Sequence, residues 1–102
     1  MSKKEEQIKK LWERCGFSLT SEGFPDLTPD NLVQYVLPKL CRKYIELEIH
    51  ADYLVRSDSW NVALLDGYYD SDESKYCIAV SSGKDFPTAL SLAMMKALKR
   101  GD

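Results

Sequence analysis

The sequence predicts one α+β domain in which a three-stranded antiparallel sheet, a meander, packs with helices in the order α-α-β-β-β-α. Two apolar periodicities predict this class. A repeat of 3.6 residues, typical of helices, runs along residues 3–15, 29–44 and 86–99, and a repeat of two, typical of strands, recurs between residues 45 and 81. The length of 102 residues favours a single core over two.

The first helix is predicted at about residues 3–15. Ser2 and Glu5 have the spacing of a capping box, and Gly16 supplies a stop after the last apolar position. The residues that share its narrow apolar stripe are Ile8, Leu11, Trp12 and Cys15. We therefore expect an N-terminal helix, residues 1–15, that docks on the rest of the domain.

Residues 16–28 are predicted to form an ordered connector. Phe17, Leu19 and Phe24 can anchor it, and Gly23 to Asp26 carry turn chemistry. The rest of the domain, residues 29–100, then forms an α-β-β-β-α core.

The second helix is predicted to start at Thr28-Pro29-Asp30, which combines a hydroxyl cap with proline at the first helical position. Its apolar stripe consists of Leu32, Val33, Val36, Leu37, Leu40, Cys41 and Tyr44. Pro38 lacks an amide proton and its ring collides with the carbonyl of Gln34, so we expect a kink or a break there.

The three strands are predicted where apolar residues alternate with polar or small ones. The residues that alternation assigns to one core-facing surface are Ile45, Leu47, Ile49, Trp60, Val62, Leu64, Ile78 and Val80. Asp66-Gly67 is a tight-turn dipeptide, yet residues 70–74 are strongly polar, so residues 66–74 form either a hairpin or a longer loop.

The last helix is predicted to begin at an Asp85 cap with Pro87 in its first turn, and to end at Gly101. Its apolar face comprises Phe86, Ala89, Leu90, Ala93, Met94, Ala97 and Leu98. We expect this helix and the one at residues 30–44 to pack on the apolar face of the sheet.

Composition indicates a cytoplasmic protein that binds no membrane. No apolar run approaches the roughly twenty residues of a membrane helix, and the charged start MSKKEEQIKK is unlike a secretory signal. Cys15, Cys41 and Cys77 are widely spaced and fit reduced thiols, which we expect to pack in the core.

Charge is segregated along the chain. Residues 45–74 hold eight acidic residues against one base, Arg56, whereas residues 29–44 and 75–102 together have a net charge of +5. Binding to nucleic acid needs a contiguous positive face. We therefore expect no tight binding of nucleic acid. Because the basic segments of one copy can attract the acidic segment of another, a homo-oligomer stays open as an alternative.

The motifs for chemistry are weak, and we predict no catalytic, metal-binding or cofactor-binding residues and no enzymatic activity. His50 is the only histidine and falls on the polar side of its strand, away from the cysteines. Asp70 to Glu73 begins like a calcium loop but lacks the glycine at its sixth position. Ser81 to Lys84 lacks the frame of a phosphate loop.

One group of residues instead suggests a surface for a protein partner, because exposed aromatic side chains beside acidic loops are typical of interfaces. These residues are Tyr53, Tyr68, Tyr69, Asp70, Asp72 and Glu73. The alternative is that Trp60 and one tyrosine complete the core.

Four segments, Leu11–Phe17, Leu27–Leu32, Val36–Leu40 and Phe86–Ala93, together resemble small uncharacterised phage and prophage proteins with the phage ABA (alpha-beta-alpha) sandwich domain. The resemblance implies an antiparallel sheet between helical layers, in a bacterial or phage-infected cytosol. It brings no catalytic residue and no cofactor. With the absent motifs and the segregated charge, it predicts a phage accessory protein that is a non-catalytic interaction module.

Two alternatives remain. The order α-β-β-β-α from residue 29 is that of a double-stranded-RNA-binding domain, with Lys96, Lys99 and Arg100 near the last helix, although Asp85–Thr88 stands where that family has basic residues. The other alternative is a small hydrolase that uses His50.

Overall fold

The computed structural model describes residues 3–18, 23–44, 46–66 and 76–100, and confirms the predicted α+β class and element order. Its strands form one antiparallel sheet in the order β1-β2-β3. The elements are α1 (Lys3–Arg14), α2 (Pro29–Asn31), a π-helix π1 (Leu32–Val36), α3 (Leu37–Lys43), β1 (Leu47–Leu54), β2 (Ser59–Asp66), β3 (Tyr76–Gly83) and α4 (Phe86–Lys99).

Helix α1 ends at the predicted glycine in a Schellman motif. Gly16 adopts a φ of 96°, its amide donates to the carbonyl of Glu13, and the amide of Phe17 donates to the carbonyl of Trp12. The Phe17 ring then meets the Trp12 indole edge-on, with ring centroids 6.0 Å apart. The Schellman motif therefore ends α1 and also directs the connector back onto the apolar stripe of this helix.

The second helix is continuous from α2 to α3, and the irregularity predicted at Pro38 takes the form of a π-helical turn. Thr28 caps its start by accepting from the amide of Asn31 at 3.1 Å. The amide of Leu37 donates to the carbonyl of Leu32, five residues back. In a regular α-helix Pro38 would leave the carbonyl of Gln34 without its hydrogen bond, and its ring would clash with that carbonyl. The wider π-helical turn accommodates the proline.

The sheet register places Leu47, Val62 and Leu64 on one face, as alternation predicts. β3, however, contains a bulge: Leu64 pairs with Ala79 while Leu65 pairs with Cys77, so that Ile78 is an extra residue and both Ile78 and Ala79 are buried.

The assignment of Val80 to the core-facing surface is therefore wrong. After the bulge the alternation is reversed, and Val80 pairs with Ala63 on the outer face, where 41% of its surface is exposed. The core-side position at this level of β3 belongs to Ser81, which pairs with Val62.

Strand β1 runs further than the alternating segment suggested, to Leu54, and a four-residue turn joins it to β2. Ile45 lies outside the described residues. β2 ends at Asp66 and β3 begins at Tyr76, so a two-residue hairpin at Asp66-Gly67 is excluded, and the connection between them also lies outside the described residues.

Helix α4 is the centre of the core rather than one of two helices lying on the sheet. It packs on β3 and β2 with one side and on α1, α2, π1 and α3 with others, and nine of its 14 residues are buried. The helix at residues 30–44 therefore packs chiefly on α4, which corrects the prediction that it covers the sheet.

In the described parts of the chain the layers run from the sheet to α4 and then to the remaining helices. The helical layer that the resemblance implies on the other face of the sheet is not found there: His50, Asp52, Val80 and Ser82 lie on that face, and all four are exposed.

Both ends of α4 are held by specific contacts. Asp85 accepts from the amide of Thr88 at 2.8 Å, which confirms the predicted cap. At the other end the Tyr44 hydroxyl donates to the carbonyl of Ala97 at 3.0 Å, and the Lys43 ammonium donates to that of Leu98 at 3.1 Å. These contacts tie α3 to the last turn of α4.

Candidate protein-interaction surface

Strand β1 forms one edge of the sheet and is the least covered element of the core-facing surface. α4 lies over β2 and β3, so Ile49 on β1 keeps 37% of its surface exposed although it pairs with the fully buried Leu64. Tyr53, two pairs further along on the same face, is 46% exposed. On this face of the sheet, the side chain of Leu64 on β2 is therefore buried, whereas those of Ile49 and Tyr53 on the neighbouring strand β1 are exposed.

Exposed apolar side chains also occur at the end of β1. Leu54, its last residue, is exposed on the outer face of the sheet, and Val55 at the start of the turn is 79% exposed. We call Ile49, Tyr53, Leu54 and Val55 the β1 patch.

Tyr53 is fixed at this edge by two contacts. Its hydroxyl donates a hydrogen bond to the Asp58 carboxylate, and its ring lies against Trp60, with centroids 5.5 Å apart. Trp60 in turn contacts Phe86 at the start of α4, also at 5.5 Å. The bond to Asp58, with lesser effects of desolvation and of the Asp58 charge, raises the pKa of Tyr53.

Asp58 has a φ of 48°, a left-handed conformation that aspartate tolerates better than most residues. Its amide closes the turn by donating to the carbonyl of Val55 at 3.3 Å. The turn therefore presents its carboxylate to Tyr53.

The opposite edge of the sheet, at β3, is occupied by side chains from the C-terminal end of α4. The Lys96 ammonium donates to the carbonyl of Val80 at 2.8 Å, and the Arg100 guanidinium donates to the carbonyl of Ile78 at 3.0 Å. Cationic side chains at a sheet edge are a known protection against pairing with another strand. No comparable helix contact covers β1 among the described residues.

The predicted interaction surface is only partly described. Tyr53 is exposed as that prediction requires, and Trp60 is half-buried against the core, as the alternative requires. Tyr68, Tyr69, Asp70, Asp72 and Glu73 lie outside the described residues, so the surface they form with Tyr53 stays a prediction.

Sequence reasoning missed Ile49 and Val55 as surface residues. Alternation placed Ile49 in the core because a period of two reports which face a residue lies on, not how far a helix reaches across that face. The signal that was available is the run Tyr53-Leu54-Val55 directly before the polar turn Arg56–Asp58.

A second apolar feature is a groove of about 340 Å³ between α1 and the connector. Its lining residues are Ile8, Trp12, Phe24, Pro25 and Leu27, together with Glu5 and Lys9. The groove offers apolar side chains but no sheet edge.

The candidates for chemistry are only partly described. His50 is exposed, as predicted, and shares a hydrogen bond of 3.1 Å with Glu48 on the outer face. No group of three histidine, cysteine or acidic side chains that could hold a metal ion occurs in the described ranges. The acidic segment Asp70 to Glu73 lies outside them.

The expectation that all three cysteines pack in the core is wrong for Cys41 and Cys77, which are exposed. Cys77 lies on the outer face of the sheet opposite Leu65, and Cys41 follows the buried Leu40 on the solvent side of α3. Cys15 is half-buried, and burial raises the pKa of its thiol although the nearby Lys39 charge opposes the shift.

The basic residues near the end of α4 are engaged within the molecule. Lys96 and Arg100 hold the β3 edge, and Lys99 donates to the Gln7 side chain at 3.3 Å.

No helix in the described ranges is long and apolar enough to cross a membrane.

Comparison of the chain with family models, curated proteins and solved structures finds no match. The resemblance to the phage ABA sandwich proteins therefore stays a prediction from the sequence.

Proposed function

We propose that the protein is a non-catalytic interaction module that binds an extended segment of a partner protein along the outer edge of β1. The observation that carries the proposal is the contrast between the two edges of the sheet. Lys96 and Arg100 occupy the β3 edge, whereas β1 presents Ile49 and Tyr53 at an edge for which the described part of the chain supplies no such contact.

Strand addition is the binding mode that fits these features. A partner strand gains affinity from main-chain hydrogen bonds at an open edge, and side chains at alternate positions supply specificity. Ile49 and Tyr53 lie on one face of β1 and Glu48 and Asp52 on the other. The partner segment would therefore place apolar residues on the α4 side and, on the outer side, a neutral or basic residue directly opposite Glu48 and opposite Asp52.

A phage or prophage accessory role is the setting that the resemblance suggests for such a module. The RNA-binding and hydrolase alternatives receive no comparable support. The bases at the end of α4 are engaged internally, and the exposed His50 imidazole bonds to Glu48 on the outer face.

A capture experiment tests the proposal with two matched variants. Ile49→Lys alters the β1 patch, whereas Val80→Lys alters a similarly exposed β-branched residue on the outer face. Tagged wild type and both variants are incubated with a lysate of the producing cells that also contains an untagged copy of the chain, and the retained proteins are quantified by mass spectrometry.

We expect wild type and Val80→Lys to retain the same protein in stoichiometric amount, and Ile49→Lys to retain at least about tenfold less, because a charge replaces a central apolar contact. Equal retention by Ile49→Lys would contradict the proposal. Thermal melts of all three proteins show that the variants are folded.

A further inference from the structure

We infer that the strand which pairs with β1 is β1 of a second copy of this chain, and that the two strands run antiparallel about a two-fold axis at Ala51. This inference rests on the proposed function, since it names the partner of the same edge. Three features support it: the main-chain groups that face outwards, the register that the charges allow, and the side chains that the paired faces then bring together.

The contact of Lys96 fixes the orientation of the main chain across the sheet. Because the carbonyl of Val80 accepts from Lys96 at the β3 edge, it points away from β2. Its pair with Ala63 is then of the non-hydrogen-bonded type, so the main-chain groups of Ala63 point to β1 and bond with His50.

The neighbours of His50 on β1 have the opposite orientation, because main-chain groups alternate along a strand. Ile49, Ala51 and Tyr53 therefore direct their amides and carbonyls to the open edge, on the same residues whose side chains face the α4 side. An added strand would form main-chain hydrogen bonds with these three alternate residues of β1.

An axis at Ala51 gives matching pairs on both faces. Ile49 lies opposite Tyr53 of the second copy on the α4 side, a pair of an aliphatic and an aromatic side chain. On the outer face His50 lies opposite Asp52 of the second copy, where the imidazole can donate to the carboxylate. Each of these pairs occurs twice because of the symmetry.

The charges also favour this axis over its neighbours. An axis at His50 places Glu48 opposite Asp52 of the second copy, an axis at Asp52 places that carboxylate opposite its own copy, and an axis at Ile49 places Glu46 opposite Asp52. All three juxtapose like charges, which destabilise a pair of strands. The axis at Ile49 also pairs Glu48 with His50 of the second copy, whereas only the Ala51 axis pairs His50 with Asp52 and leaves no carboxylate opposite another. The Ala51 axis instead directs Glu46 towards Arg56 of the second copy beyond the ends of the strands.

A two-fold axis perpendicular to the sheet keeps the same face of both copies on the same side. The result is a six-stranded antiparallel sheet with both α4 helices on one side of it. The exposed side chains of Ile49, Ala51 and Tyr53 from the two copies then form one continuous surface between those helices.

Sedimentation equilibrium on the purified protein tests the partner. We expect wild type and Val80→Lys to have twice the chain mass of 11.7 kDa, with a dissociation constant that rises at least about tenfold in Ile49→Lys. A wild type that remains a monomer up to about 1 mM would overturn the inference. A dissociation constant that is the same in wild type and Ile49→Lys would also overturn it.

This result is independent of the capture experiment. If the purified chain is a monomer while capture from lysate still depends on Ile49, the partner is another protein, so the inference fails and the proposed function stands. If capture is insensitive to Ile49, the proposed function fails, and the inference fails with it.

A charge exchange tests the register. With an axis at Ala51, His50→Asp places two carboxylates opposite each other on either side of the axis, so we expect the dimer to weaken several-fold. The double variant His50→Asp/Asp52→His restores the pairing of opposite types with this axis, so we expect its affinity to return to that of wild type. A double variant as weak as His50→Asp would overturn the register.

Discussion

Lys96 donates a hydrogen bond of 2.8 Å to the carbonyl of Val80, and so a side chain of the central helix occupies a bonding position at the edge of the sheet. Arg100 does the same two residues along, at Ile78. No such contact reaches β1 among the residues that the structure describes, so we expect β1 to be the edge at which another strand pairs.

The first prediction concerns the protection of the β3 edge by these two contacts. The double variant Lys96→Ala/Arg100→Ala uncovers the β3 edge, so we expect stronger concentration-dependent association, measured by static light scattering. Lys84→Ala/Lys99→Ala removes the same charge from other exposed positions and serves as the control. Equal association of the two double variants would show that the contacts do not protect the edge.

The second prediction concerns the bulge in β3. Ile78→Asp places a carboxylate in the core and should reduce the free energy of unfolding by about 4 kcal/mol or more. Val80→Asp lies on the exposed face, where we expect a change of about 1 kcal/mol or less. Denaturant unfolding measures both, and a larger loss in Val80→Asp would contradict the reversal of alternation after the bulge.

The third prediction concerns the pH dependence of stability. Hydrogen bonds from the side chain and amide of Thr88 lower the pKa of Asp85. The stabilisation from its charge is therefore complete above the unfolded pKa, near 3.9, and is lost as the pH falls through the lower folded pKa.

Asp85→Asn isolates this effect, because it keeps a capping side chain but cannot titrate. We expect the difference in unfolding free energy between wild type and Asp85→Asn to shrink as the pH falls from about 5 towards about 2. Asp85→Ala should lose about 1 kcal/mol of cap stabilisation at neutral pH. A difference that grows with acidification would contradict the direction of the shift.

The fourth prediction concerns nucleic acid. The acidic residues 45–74 and the internal contacts of Lys96, Lys99 and Arg100 leave few bases to neutralise phosphates together. In fluorescence titrations with double-stranded RNA, double-stranded DNA and single strands we expect no submicromolar binding at physiological ionic strength, and a loss of any weak binding with added salt. Submicromolar binding would favour the RNA-binding alternative.

Local signals in the sequence predicted the elements well. The Thr28 and Asp85 caps and the Gly16 stop act through contacts with residues next to them, so their chemistry is visible in a short segment. The irregularity at Pro38 was predictable for the same reason, although its π-helical form depends on how the rest of the helix packs.

Long-range arrangement was less predictable. Nothing in the alternation of β3 reveals that Ile78 is an extra residue, because the bulge is defined by pairing with Leu64 and Leu65 on another strand. The exposure of Ile49 likewise depends on where α4 lies across the sheet. The candidate surface could therefore be predicted at Tyr53 but not at Ile49.

The claim that β1 is an open pairing edge can be tested directly by residue-resolved amide exchange. At low protein concentration, without a partner, we expect fast exchange at Ile49, Ala51 and Tyr53 and slow exchange at His50 and Asp52, because only the latter amides bond to β2. At high concentration the first three should become protected. Equal protection of all five amides at low concentration, or fast exchange at Ala51 when a partner is bound, would contradict an open pairing edge at β1.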